Sequence, residues 1–279
     1  MDRTDYTDPI CPCDTDFYKE PVAPEPIVGS GALAIEAVMA EYDSFLHTEQ
    51  YEAAGQYLQK MRGTAKENND LRSLLSIDNE LLGYHRQYGN IADEDQTIAE
   101  CRDLLSRIDM GKGPSAGMIL LNIGTALCAA GRPADALLSY SDACRSWGTI
   151  LAPRDVRWAG LFNNMAGAYE ANGEPDFAEQ YYNKALDVLR AGAPTPDLGL
   201  TYLNLAMLLH GQNAEDERIG AYVRMALDAL QDTNLPHDAY YAHTARKCTD
   251  PLHYLGFFRA AKQMEREADA IYERIRTGG

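Results

Sequence analysis

Leu120-Leu121-Asn122-Ile123-Gly124 returns 42 residues later as Phe162-Asn163-Asn164-Met165-Ala166, and 40 residues after that as Tyr202-Leu203-Asn204-Leu205-Ala206. Asn79 stands 43 residues before Asn122, so four asparagines keep one phase along the chain. A period in this range marks stacked repeats, in which each unit buries its apolar face only against its neighbours. A polar amide kept at one phase of apolar helices predicts a row of hydrogen-bonding groups along one strip of the stack.

The match extends beyond the asparagines. Gly124, Leu127, Gly131, Ala136, Tyr140 and Ala143 align with Ala166, Tyr169, Gly173, Ala178, Tyr182 and Ala185 at a constant offset. Ala206, Leu209, Ala226 and Leu227 continue the pattern with one residue inserted, and Gly256, Phe258, Ala261 and Ala268 end it. From Gly31 onward apolar residues recur at helical spacing, as in Ala34, Val38, Tyr42 and Phe45, then Tyr51, Ala54, Tyr57, Leu58 and Met61. No stretch alternates as a strand does, so the predicted fold is all-α. Pro114, Pro133, Pro153, Pro175, Pro196 and Pro236 precede or open helical segments, where the missing N–H costs nothing. Gly131 and Gly173 suit left-handed helix ends. About twelve helices in six antiparallel pairs follow. Pro251 falls inside the eleventh, which predicts a bend or break near Asp250.

Small residues at these phases let two helices approach while Tyr or Phe fills the wedge beside them. These positions resemble the tetratricopeptide repeat (TPR): a bulky residue, a small one, an aromatic, then Gly, Ala, aromatic and Ala across a helix-turn-helix. The resemblance covers roughly residues 31 to 276 and is firmest in three successive units. Around residues 31 to 108 it is weaker, with Glu80 and Asp93 where apolar or small residues belong. The period is longer than the family's typical ~34 residues, as in kinesin light chains and bacterial peptide-sensing regulators. The resemblance implies a right-handed superhelical solenoid over residues 30–276, preceded by a tail at 1–29.

That tail carries Pro9, Pro12, Pro21, Pro24 and Pro26 among acidic residues, a composition that favours extended backbone. The whole chain has 279 residues, 46% of them apolar, which excludes wholesale disorder. Its net charge of −17 disfavours nucleic acid and anionic lipid as partners. Neither a membrane-spanning run nor a signal peptide is evident, so a cytoplasmic location is expected. Cys101, Cys128, Cys144 and Cys248 fall among apolar helical neighbours, and Cys11 and Cys13 are too close for the usual paired-ligand spacing. No metal or cofactor is predicted.

Enzymatic readings find little purchase. Gly111-Lys112-Gly113-Pro114-Ser115 lacks the earlier glycine and the Ser or Thr of a phosphate loop and reads as a connector. No His-Glu-x-x-His or Gly-x-Ser-x-Gly occurs. Acidic pairs such as Glu94-Asp95 and Asp216-Glu217 fit the first turns of helices, where carboxylates complement the dipole.

In the family, the first helix of each pair lines a concave groove, and an Asn at this phase pinches the backbone of an extended peptide. The resemblance places Asn79, Asn122, Asn164 and Asn204 there. An Asn amide offers both an acceptor and donors, so it can pair with both groups of a peptide unit. The same register lines the groove with Met118, Leu121, Thr125, Cys128, Asn163, Gly167, Glu170, Leu203, Met207 and His210. Its ends are basic: His85 and Arg86 on one side, His243, Arg246, Lys247 and His253 on the other. The expected function is non-enzymatic binding of a peptide or a partner protein's segment. Two alternatives stand beside it. One is a scaffold that self-associates, as a homodimer for example, through its terminal repeats. The other is a peptide-sensing regulatory subunit whose DNA-binding module another chain supplies. The acidic tail at residues 1–29 is a further candidate occupant of the groove.

Overall fold

The computed structural model describes residues 33–48, 50–89, 91–108, 113–148 and 150–276. The tail at 1–29, Cys11 and Cys13, and Gly111 with Lys112 lie outside them. Among the described residues there is no strand, and twelve helices follow one another. They fall into two compact units, divided between Pro153 and Arg154.

The first unit holds α1 (Ile35–His47), α2 (Tyr51–Glu67), α3 (Leu71–Tyr88), α4 (Ile91–Arg107), α5 (Pro114–Ala129) and α6 (Pro133–Trp147). Consecutive helices pair as α1 with α2, α3 with α4 and α5 with α6, while α3 also meets α5. Its core runs through Leu58, Ile77, Leu81, Leu104, Ile123, Leu127, Tyr140 and Trp147, all essentially inaccessible. The second unit holds α7 (Val156–Ala171), α8 (Pro175–Ala191), α9 (Asp197–Gly211), α10 (Asp216–Leu230), α11 (Ala239–Tyr254) and α12 (Phe258–Arg276). Here α7 pairs with α8, α9 with α10 and α11 with α12, and α9 meets α11. Trp158, Leu161, Tyr181, Leu205, Leu209, Tyr241 and Met264 form its core.

The spacing of small and aromatic residues has a direct physical consequence inside each pair. A Cβ added at Gly124 would collide with the Tyr140 ring, and one at Gly117 with the Trp147 indole. Glycine on the first helix therefore makes room for a large ring on the second. Truncating such a buried ring to Ala typically costs about 3–5 kcal/mol, so this local complementarity is a major source of hairpin stability.

Pro114, Pro133 and Pro175 each sit in the first turn of their helix, and Pro196 is the N-cap of α9. Gly131 and Gly173 take φ of +74° and +79° at the ends of α5 and α7. Just beyond each, a backbone N–H reaches five residues back: Arg132 to Leu127 O and Glu174 to Tyr169 O, both at 2.9 Å. This closes the helix end with a Schellman motif. Asn213 (φ +56°) and Gly256 (φ +85°) repeat the device after α9 and α11. Asn213 is the one residue among these four that is not glycine.

Of the bend or break expected near Asp250, the break does not occur. α11 is not broken at Asp250: it runs through Pro251 to Tyr254. Pro251 lies in the last turn, where only one intrahelical bond is lost, and the fully buried Cys248 and Leu252 hold that turn against its neighbours. Packing outweighs the local penalty.

Candidate functional site

In the first unit, α3 and α5 bring Asn79 and Asn122 together. Asn122 Nδ2 donates to Asn79 Oδ1 at 2.9 Å, and Asn79 Nδ2 donates to Glu80 Oε1 at 3.3 Å. Both asparagines are half-buried. Asn122 Oδ1 has no partner among the described residues, and one of its two N–H bonds is still unspent. Burial raises the Glu80 carboxyl above its ordinary range, the Asn79 bond opposes that shift, and Asp43 adds to it. One turn before Asn122, Met118 is 37% exposed. Thr125 is half-buried and its hydroxyl donates to Leu121 O at 3.0 Å.

The basic end expected beside this strip is only partly present. Arg86 is exposed in the last turn of α3. His85 is buried at 7% exposure, and its Nδ1 has no hydrogen-bond partner among the described residues. Burial holds its imidazole below the ordinary histidine range, with Asp93 opposing and Arg62 adding to the shift.

In the second unit, Asn164 on α7 and Asn204 on α9 are both half-buried, as is Met207 one turn after Asn204. Asn204 has no hydrogen-bond partner among the described residues. Asn163 is engaged differently. Its Nδ2 donates to the buried Thr201 hydroxyl at 2.8 Å, tying α7 to α9. Leu203 is fully buried and belongs to the core, not to a lining. Arg246 turns toward α12, where it pairs with Asp269 and sits 5.1 Å from the Tyr272 ring centre. Lys247 and His243 are exposed. The expected set therefore divides. The phase-matched asparagines are accessible on the first helices of their pairs, whereas His85, Asn163 and Arg246 are occupied by packing or pairing within the protein.

A cluster absent from the expected set lies under α3. Arg62 of α2 pairs with Asp78 of α3 at 2.7 Å and with Glu100 of α4, and Lys66 reaches Glu100 at 2.7 Å. Asp78 is fully buried, with Oδ2 unbonded. Desolvation pushes its carboxyl up to about 6, against the pull of Arg62 and helped by Glu100. The sequence did contain a signal: Asp78 interrupts the apolar face formed by Leu74, Ile77 and Leu81. Such a buried pair is weak evidence of function and reads as a structural tie between three helices. Among the described residues, no group of three or more His, Cys, Asp or Glu is placed to hold a metal ion. No helix there is long and apolar enough to cross a membrane.

No protein-family model matches the sequence, and no curated protein sequence matches it either. Solved structures do. BtubC from P. vanneervenii is similar over 87% of this chain and 92% of its own, with a TM-score of 0.52 at 17% identity. A kinesin light chain of nearly identical TPR-like repeats from Podosopora anserina covers 72% of this chain and 96% of its own, with a TM-score of 0.51 at 13% identity. A Rap protein solved in complex with Competence and Sporulation Factor covers 88% and 76%, with a TM-score of 0.56 at 10% identity. At these identities the likeness speaks for the fold. The helix pairs, the small-against-aromatic wedges, the left-handed turns and these neighbours agree: the chain is a TPR-like helical repeat protein.

Proposed function

We propose that the chain is a non-enzymatic binding module that holds an extended peptide, or an extended segment of a partner protein, against the first helices of its pairs. The observation that carries this reading is the unspent hydrogen-bonding capacity of half-exposed, phase-matched amides. Asn122 retains an acceptor and a donor hydrogen, and Asn204 retains its whole amide. An extended strand offers one C=O and one N–H per residue in search of partners, and such amides complement both. Met118, Thr125 and Met207 would receive its side chains, methionine being suited to varied apolar shapes. Arg86 and Lys247 would add charge for a carboxylate. The similarity to a Rap protein solved with its factor supports this class of partner.

The test starts from linear peptides selected for binding to the full chain. Replacing Asn122, Asn164 and Asn204 together by Ala should weaken a selected peptide by about fivefold or more, from about 1 kcal/mol per hydrogen bond lost at Asn122 or Asn204. Far-UV circular dichroism should stay unchanged. A scaffold that self-associates through its terminal repeats would instead keep peptide affinity in this variant. It would alter its size in sedimentation when the surfaces of α1 or α12 are changed.

A further inference from the structure

α12 packs against α11 through Ala261, Met264, Ala268 and Ile271. Its opposite side presents Arg259, Lys262 and Arg266, spaced i, i+3 and i+7 and therefore on one face along about 10 Å of helix. All three are exposed, and none has an ion-pair or hydrogen-bond partner among the described residues. Gln263 and Glu267 flank them in a shallow depression. Phe258, 62% exposed, borders the strip, with its ring centre 5.7 Å from that of His253.

The charge order at this helix start is reversed relative to the second helices of the other pairs. The second helices α2, α4, α6, α8 and α10 open with Glu52, Asp93, Asp135, Asp176 and Asp216, which complement the positive end of the helix dipole. α12 has no acid in its first turn and places Arg259 there. Arg259 is repelled by the positive helix end and the three cations repel one another, and an anion on the strip relieves both. In a chain of net charge −17 the approaching anion cannot be a large polyanion, which the whole field opposes. A short acidic segment is screened from most of that field beyond about 8 Å at physiological ionic strength. Phe258 adds an apolar contact for a neighbouring side chain.

We propose that the outer face of α12, formed by Arg259, Lys262, Arg266 and Phe258, docks a short acidic segment of a partner polypeptide that carries an aromatic or apolar side chain among its carboxylates. The surface is distinct from the asparagine-bearing first helices, so it stands or falls independently of the reading above.

The probe is a labelled peptide copying residues 14–26 of this chain, which are acidic and contain Phe17 and Tyr18. Its binding to the full chain is followed by fluorescence anisotropy. The variant R259E/K262E/R266E changes only exposed side chains, and its folding is checked by circular dichroism. Reversal should weaken the probe by at least about tenfold, and raised salt should weaken binding to the unaltered chain. F258A should weaken it by a smaller factor, and N122A/N164A/N204A should leave it unchanged. Affinity indifferent to the reversal would overturn the proposal, as would displacement of the probe by a DNA duplex or by phosphatidylserine vesicles. So would a D14N/D16N/E20Q/E25Q variant binding the probe more than about threefold tighter, since the chain's own stretch would then fill the face.

Discussion

Asp78 shows how one side chain sets a measurable property of its unit. Its folded pKa of about 6 lies above the ordinary 3.8. The folded state therefore binds a proton more readily than the unfolded state between those values. Stability from this group is fully present at low pH and is lost as pH rises through about 6. Glu80 and Glu94, also raised by burial, act in the same direction, while the lowered His85 and His243 act in the opposite one. Replacing Asp78 by Asn isolates its share. The urea midpoint of the unaltered chain should rise from pH 7 to pH 5.5 more steeply than that of D78N, and equal slopes would contradict the assigned burial. At this scale the sequence was only partly legible. The asparagine phase could be read because a repeat fixes it. The Asn122–Asn79 bond and the loss of His85 to the core could not, since both depend on sub-turn register between helices distant in sequence.

At the scale of elements, the helix ends decide how cleanly each pair turns. Gly173 occupies the left-handed region, where a Cβ costs about 1–2 kcal/mol. G173A should therefore lower stability by about 1 kcal/mol. Asn213 holds the equivalent turn after α9 in the same region, and N213G should raise stability by about 0.5 kcal/mol. Both changes are read from denaturant midpoints. Pro251 gives a third test. Because α11 continues through it, P251A should restore a backbone hydrogen bond to Lys247 and stabilise by about 1–3 kcal/mol. A destabilised P251A would mean that the proline ring itself is required by packing. Glycine and proline punctuation made most helix boundaries readable from sequence. Pro251 misled because a propensity argument does not see Cys248 and Leu252 pinned on both sides of Asp250. The weak early repeats hid a different feature, a charged tie among α2, α3 and α4, because its members Arg62, Asp78 and Glu100 belong to no repeated pattern; it stands in addition to a small-against-aromatic wedge of Gly55 on Tyr84.

Across the whole molecule, two properties meet: repeats that carry phase-matched amides on their first helices, and a strongly acidic chain that sets three unpaired cations on one face of α12. The repeat fold was legible because its period writes the same packing problem several times. Partner identity was not, because the proposed recognition of a backbone would leave little trace in side-chain type. Backbone recognition is nonetheless directly measurable. A linear peptide selected for binding to the full chain would be resynthesised with single backbone N-methyl groups, scanned along its length, and its Kd measured for each. Methylation removes a donor while keeping the side chain, so positions paired with Asn122, Asn164 or Asn204 should weaken by about tenfold or more, in a pattern that disappears in the triple alanine variant. Uniform tolerance of N-methylation, with unchanged affinity in the triple variant, would contradict the claim that these amides hold an extended strand.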